Sequence, residues 1–463
     1  MKVERNIFDP AWLVRVTGGQ WLRMPSTPIR RVCHDTRTLQ PGDLYVAIRG
    51  IRVDGHSLLE DAFRKGAAAA MVDNVFAAQH PEAARDPLLV VPDTVSALGQ
   101  LAAMHRHRMG AWITGITGSM GKTTVKDMTA ALLRQNAATV CTQGNWNNNI
   151  GLPLSMLSMQ AETRFGVFEL GMNHPGEISP LSEMLSPDWG VVTAIGPVHL
   201  EFFTDVEAIA NEKADLLRAL PRAGIAFLHQ DDPYFRILEA AAPCPVQTVG
   251  VTPDSSADLR VCEQHGQLMV YERGTDRHEQ MPVPVAGRHN LVNAGLSMLV
   301  ARAAGCSWEQ VRQGFVQYRP PPMRWEVQSC GAYTVVNDAY NANPVSMAAA
   351  LDTFAQMQTQ GRKWLALGDM LELGVYAAEA HTKLGARVAQ GAWAGIVAVG
   401  LHAQTVCAAA VAEGMSAEHV AAFHTVQEAG AWLCQRLDHG DTLLLKGSRG
   451  VQLENLLQML KKG

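Results

Sequence analysis

Residues 114–124 read TGITGSMGKTT, a glycine-rich run that ends in Gly121, Lys122 and Thr123. Such a run can cradle a polyphosphate. Backbone N–H groups at the start of the helix that follows point at the anion. Lys122 would reach the β- and γ-phosphates, and the Thr123 hydroxyl would ligate Mg²⁺. Gly118 and Gly121 let the backbone approach the phosphates without a Cβ clash. Counted strictly against G-x-x-x-x-G-K-[ST], the first glycine should stand at position 116, which is Ile116; Gly115 lies one residue earlier. The plain alternative is a strand–helix turn with an incidental lysine. A phosphate loop by itself leaves a kinase, a motor, a nucleotide switch and a ligase all open.

Three further side chains could join this chemistry. Glu169 lies at the C-terminal end of the apolar run FGVFEL, just before Leu170 and Gly171. The carboxyl ends of strands in an open parallel sheet are where ligands bind, so Glu169 is either a Mg²⁺ ligand or a solvated strand-end acid. His199 and Glu201 follow the run GVVTAI in the same manner, and a lone histidine there is either a ligand or a hydrogen-bonded side chain near the core. Lys213 lies in DVEAIANEKADLLRAL (205–220), an amphipathic helix on which a lysine would ordinarily face solvent.

The elements that must hold these residues are legible as alternating strands and helices. In the first hundred residues, DLYVAI (43–48) reads as a strand. HSLLEDAFRKGA (56–67) reads as a helix stopped at Gly66, and AAAMV follows as another short apolar run. From about residue 106 the strands are AWITGIT (111–117), ATVCT (138–142), FGVFEL (165–170), GVVTAI (190–195) and GIAFLH (224–229). Helical stretches between most of them imply a parallel sheet with helices on both faces. DLRVCEQHGQLMVYERG then reads as a hairpin turning at Gly266, and residues 290–305 as a helix stopped by Gly305. RPPPM (319–323) cannot continue a helix and marks a boundary. Beyond it YTVVND, KWLALGD, GIVAVG and DTLLLKG read as strands of another α/β unit. The expectation is an α/β protein of three domains: 1–105, 106–319 and 320–463.

Composition excludes several other classes. Of 463 residues, 47% are hydrophobic and 18% charged, which is the balance of a globular chain. The net charge of −5 with scattered basic residues argues against nucleic-acid binding. The eight cysteines form no CxxC pair and read as reduced thiols. The charged stretch MKVERNIFDPAW lacks the apolar core of a signal peptide, and the Ala/Val-rich stretch 396–412 is too short to span a bilayer. A cytoplasmic protein is expected.

Taken together the motifs resemble those of the Mur ligases, the ATP-dependent amide-forming enzymes of peptidoglycan precursor synthesis. The family loop G-x-[ST]-G-[ST]-x-G-K-[ST] is matched throughout by GITGSMGKT (115–123), which accounts for the one-residue shift. NNIGLP, ELG, HLE, EKADL, GRHNLVNA, MRWE, NDAYNANP, LGDMLELG and LLKGSRG follow in family order. NDAYNANP, LGDMLELG and GNWNNNIGLP are most similar to the members that add D-alanyl-D-alanine to a UDP-N-acetylmuramoyl-tripeptide, and the D-N-P-R motif of the members adding the third residue is absent.

The resemblance implies a small N-terminal domain for the UDP substrate, a central phosphate-loop domain for ATP and a Rossmann-like C-terminal domain for the dipeptide. It implies that Gly115, Thr117, Gly118, Ser119, Gly121, Lys122, Thr123 and Thr124 surround the phosphates, with Asn149, Asn290 and Asn293 near adenine and Arg324 and Asp338 near phosphates and ribose. It assigns Thr36 and Arg37, in HDTR, to the uridine end together with DGH (54–56), and Asn145, Tyr340, Asn341 and Asn343 to substrate. Lys122, Glu169, His199 and Lys213 would be the catalytic set; Thr123 and Glu169 would hold one Mg²⁺, and His199 and a carbamate on Lys213 a second. Val198 stands where the family commonly has Ala, and Asp215 where it commonly has Glu. The implied reaction passes through an acyl phosphate in a monomer, without an enzyme nucleophile, and needs the third domain to swing onto the second about RPPPM.

Overall fold

The computed structural model describes residues 8–275 and 278–461, so the start of the N-terminal stretch weighed above, residues 1–7, lies outside it. Three sheets follow one another along the chain. The first runs in the order Gln20–Trp21, Leu88–Val91, Ala69–Asp73, Asp43–Val46, Arg31–Cys33, parallel except for its first pair. The helix expected over 56–67 is a 3₁₀ turn, Gly55–Leu58, continued as the helix Leu59–Arg64. The chain leaves it through Gly66 at φ 93°.

The second sheet has nine strands. Trp112–Thr117 is central, between Phe165–Glu169 and Trp189–Val192, and pairs in parallel with both. Thr139–Cys141 lies at one edge. Ile225–His229, Val246–Gly250 and Leu259–Gln264 continue the parallel run on the other side. The hairpin is present as Leu259–Gln264 and Gln267–Glu272, with His265 and Gly266 both at positive φ in the turn, and His278–Pro282 closes that edge. The third sheet pairs Glu326–Cys330 antiparallel to Tyr333–Asn337. Thr442–Lys446, Lys363–Gly368, Gly395–Val399 and Val420–Phe423 follow in parallel.

The connections between units differ in kind. The 105/106 boundary falls inside the helix Thr94–Arg108, which is buried along Leu98, Leu101, Ala102 and His105. That helix packs on Pro10–Thr17 and Ala69–Asp73 of the first unit and on Gly151–Met156 and Ile178–Leu185 of the second. Arg106 ties it down: its guanidinium donates to Asp188 Oδ2 at 2.8 Å, and that oxygen also accepts the backbone N–H of Ile113 at 2.7 Å. The first two units therefore share a core. Second and third are joined by irregular backbone after the helix Trp308–Gln317, as three consecutive prolines require. The connection is shorter than RPPPM suggests. Met323 N–H is already bonded to Glu326 at 3.0 Å and Trp325 N–H to Asp338 at 3.1 Å, so residues from Met323 onward belong to the third unit.

The phosphate-loop side of the central sheet depends on one close crossing. The helix Arg288–Ala303 lies over the sheet at Gly295, where an added Cβ would stand 2.3 Å from Val249 Cγ2. The same helix carries Asn290 and Asn293. A Gly295→Ala substitution must lift the helix, with an expected destabilisation of about 1–3 kcal/mol. It should lower the thermal unfolding midpoint and weaken ADP binding together; calorimetry on the purified variant checks both.

Candidate functional site

The strand Trp112–Thr117 passes directly into the loop and then into the helix Lys122–Leu133. Gly118 and Gly121 take φ 145° and 80°, and a Cβ at Gly118 would stand 2.0 Å from Thr193 Oγ1. The loop is therefore pressed against the end of the neighbouring strand with no room for a side chain. Ser119 clamps it there: its hydroxyl donates to Gly196 O and accepts from Gly196 N–H, each at 3.0 Å. Thr193 donates its hydroxyl to Met120 O.

Two of the residues expected around phosphate lie elsewhere. Gly115 is inside the strand, where a Cβ would meet Leu216 Cδ1 at 2.8 Å, so its glycine serves strand–helix packing. Thr117 is fully buried and donates its hydroxyl to Leu170 O at 3.0 Å. Neither lines the cavity over the loop, whereas Ser119, Gly121, Lys122, Thr123 and Thr124 do.

At the base of the cavity Thr123 and Glu169 meet. The Thr123 hydroxyl donates to Glu169 Oε2 at 2.8 Å, and Asn147 Nδ2 donates to Glu169 Oε1 at 2.7 Å. Glu169 is buried, not the solvated strand-end acid of the bland alternative. Lys122 curls back and donates to Gly118 O at 2.8 Å. Burial lowers its pKa from the ordinary value; the charge of Arg324 acts in the same direction and that of Glu169 against it.

Lys213 departs furthest from what its helix pattern suggests. It is 1% exposed on Val206–Arg218. Its pKa is driven well below the ordinary lysine value, first by burial and then by the charge of Lys122, with Glu212 and Glu169 opposing. Asp215, two residues on and so turned to the other side of the helix, pairs with Arg218 at 2.6 Å.

The third unit completes the cavity wall. Arg324 Nη2 donates to the Thr123 hydroxyl at 3.0 Å, and its guanidinium stacks over the Tyr340 ring at 4.2 Å. Met323 and Trp325, on either side of it, have φ 60° and 55°, a backbone that turns Arg324 back toward the second unit. Asp338 binds Lys446 at 2.8 Å. Asn341 contributes its carbonyl to the same ammonium at 2.9 Å, and Asn343 caps the helix Pro344–Gln356 through Ser346 N–H at 2.8 Å. His199, at φ 53°, has Nδ1 2.6 Å from Glu372 Oε2 of the third unit, and this pairing holds the Glu372 carboxyl below its ordinary range.

Arg324, Asp338, Tyr340, Asn341, Asn343, Asn145, Asn149, Asn290, Asn293, Glu169 and His199 all line one cavity of about 1250 Å³. Asn290 and Asn293 are bonded to each other at 2.8 Å. Thr36 and Arg37 line a second cavity of about 500 Å³, where Arg37 is held against Asp35 at 2.6 Å. In DGH only Gly55 reaches that cavity; His56 is buried between Asp54 and Asp73. Asn147, Thr193, Glu372 and Lys446 received no role from the sequence. Each acts through a residue distant in the chain, and only Asn147, Glu372 and Lys446 carried a signal, by falling inside the quoted motifs.

The oxygen pair of Thr123 and Glu169 suits a hard cation such as Mg²⁺, which takes few protein ligands and completes its shell with phosphate and water. Among the described residues no three His, Cys, Asp or Glu side chains cluster to form a metal site by themselves. All eight cysteines are free, and no described helix is long and apolar enough to cross a membrane.

Comparison with known proteins agrees with this geometry. Family models described as Mur ligase family, catalytic domain; Mur ligase middle domain; and Mur ligase, glutamate ligase domain match residues 28–106, 116–301 and 323–449. A UDP-N-acetylmuramoyl-tripeptide–D-alanyl-D-alanine ligase of Bacillus subtilis is 32% identical over 99% of this chain and 98% of its own. A crystal structure of MurF from Acinetobacter baumannii superposes with a TM-score of 0.86 at 30% identity, covering 98% of each chain. MurF from Thermotoga maritima, in complex with ADP, superposes at 0.77 with 25% identity, over 94% of this chain and 97% of its own.

The loop's close contact yields a direct test. Gly118→Ala adds a methyl where Thr193 Oγ1 already stands and asks alanine for a glycine backbone. Calorimetric titration should show ADP affinity falling by about tenfold or more.

Proposed function

The chain belongs to the Mur ligase family, and on that premise we propose that it joins D-alanyl-D-alanine to UDP-N-acetylmuramoyl-tripeptide at the expense of ATP. The product is the UDP-muramoyl-pentapeptide precursor of peptidoglycan, with ADP and phosphate released. The observation that carries this reading is the convergence of Glu169 and Arg324 on the Thr123 hydroxyl: a residue of the third unit stands at the phosphate loop of the second.

In the first step a carboxylate oxygen of the tripeptide attacks the γ-phosphorus of ATP. The bond to the bridging oxygen breaks, ADP departs and an acyl phosphate remains. In the second step the dipeptide amine attacks the acyl carbon, and phosphate and a proton leave. Both steps bring anions together, so the chain's part is to offset charge in a site cut off from water. Lys122 and Arg324 supply positive charge over the loop, and the N–H groups at the start of Lys122–Leu133 supply dipoles.

Thr123 and Glu169 would hold the Mg²⁺ that accompanies ATP, and the bound cation supplies charge neutralisation at the phosphates. His199 and Lys213 are assigned to a second cation. For Lys213 the assignment requires a carbamate: the neutral amine adds CO₂, an N–C bond forms and a proton leaves. Its burial and lowered pKa support that chemistry.

The domains are assigned as 1–105 for the UDP substrate, 106–319 for ATP and 320–463 for the dipeptide. Arg319–Pro322 is the hinge that admits substrates before closure. Both cavities are built within one chain, which supports a monomer, and free thiols with a nucleotide substrate support a cytoplasmic setting.

ADP release should require the UDP-tripeptide and the dipeptide together. Lys122→Ala should lower kcat by about a hundredfold or more. Turnover indifferent to the dipeptide would sink the reading. With ¹³C-bicarbonate, NMR should show a carbamate resonance at neutral pH that is absent from Lys213→Ala. Because CO₂ adds only to the neutral amine, the resonance should weaken as pH falls and the lysine is protonated.

A further inference from the structure

The helix Lys122–Leu133 carries a second lysine that the reaction does not use. Lys126 is 1% exposed. Its ammonium donates to Thr142 O at 2.8 Å and Gly144 O at 3.3 Å, and it pairs with Asp127 Oδ1 at 2.9 Å. An ammonium has three N–H groups, and all three are used inside the protein. Lys126 is thus a strut and not a ligand.

A buried charge is a poor source of stability, since an apolar side chain of similar length often does as well. What this one holds is specific. Thr142 and Gly144 stand at the entrance to the segment GNWNNN (144–149), and several of the neighbouring ties run toward the phosphate site. Thr142 Oγ1 accepts the backbone N–H of Glu169 at 2.9 Å, Asn147 holds the Glu169 carboxylate, and Gly171 N–H donates to Asn147 O at 2.9 Å. Asn148 Oδ1 caps the helix that leaves the segment through Gly151 N–H at 2.9 Å. Between these ties Asn145 and Asn148 are exposed, and both line the large cavity and the second one. The segment is where the two cavities meet.

We propose that Lys126 is a positioning residue: it fixes segment 144–149 relative to the phosphate loop, so that a substrate spanning both cavities presents its carboxylate at the γ-phosphate. The inference rests on the ligase reading for the identity of that substrate, a UDP-linked peptide with a terminal carboxylate. The strut and the loop share one helix, so the phosphate site and the bridge move as one body.

Lys126→Met keeps the length and removes the three bonds. The KM for UDP-muramoyl-tripeptide should rise about tenfold or more, since small misplacements of a bound reactant are heavily penalised. The ADP dissociation constant and the dipeptide KM should stay within about threefold. Hydrogen exchange should quicken in residues 142–150 and not in 113–124. Asp127→Asn, which leaves both carbonyl bonds, should shift the same quantities in the same direction by less, and it serves if Lys126→Met fails to fold. An unchanged KM for the UDP substrate, or equal losses for nucleotide and UDP substrate, would overturn the proposal. If the unsubstituted protein shows no dipeptide-dependent ADP release, the ligase reading fails instead, and the exchange rates still decide whether Lys126 holds the bridge.

Discussion

The hydroxyl of Thr123 is where the three-part architecture closes on its chemistry. It donates to Glu169 from the adjacent strand and accepts from Arg324 of the third unit. Every larger feature bears on that contact. The parallel sheet sets the ends of Trp112–Thr117 and Phe165–Glu169 side by side, so a loop leaving one strand meets a carboxylate ending the next. Two glycines let the loop lie flat against Thr193 and Asn293, and this aims the first turn of the helix, with Thr123, at Glu169.

Charge explains why the surroundings are built as they are. Lys122, Arg324 and Lys213 crowd one region, and two of the three have lowered pKa values, each with burial as the leading cause and a neighbouring cation as another. Such an arrangement is uncomfortable until anions arrive. A triphosphate and a carboxylate would relieve it, so the repulsion among these cations becomes favourable interaction with substrate. Glu169 is the principal internal anion, and its oxygens are already occupied by Thr123 and Asn147.

The units differ in how the chain joins them. The first and second share the helix Thr94–Arg108 and a continuous core. The third is attached by irregular, proline-rich backbone, by side-chain contacts such as Arg324–Thr123 and His199–Glu372, and by an apolar cluster that includes Leu291 and Val292 of the second unit and Met347 and Leu351 of the third. Both joins thus carry apolar packing, and what sets the second apart is that its backbone connection is irregular where the first is a continuous helix, which fits a reaction needing access before closure.

The sequence by itself determined the phosphate loop, the alternation of strands and helices, the hairpin at Gly266 and the proline-marked join. Each of these is local: glycine and proline restrict their own backbone, and apolar periodicity reports the face of one element. Glu169 was placed at a strand end for the same reason. Only the tertiary structure decided that Lys213 is buried, with its pKa driven down by that burial, because its helix is amphipathic in pattern and nothing local says which polar residue another element will cover. It also decided that Gly115 packs against Leu216, that residues 105 and 106 lie within one helix, and that Asn147 bonds to Glu169, Glu372 to His199, and Lys126 to Thr142 and Gly144. Arg324 and Thr123 are 201 residues apart in the chain, and no periodicity extends that far; their meeting is set by the packing of whole units.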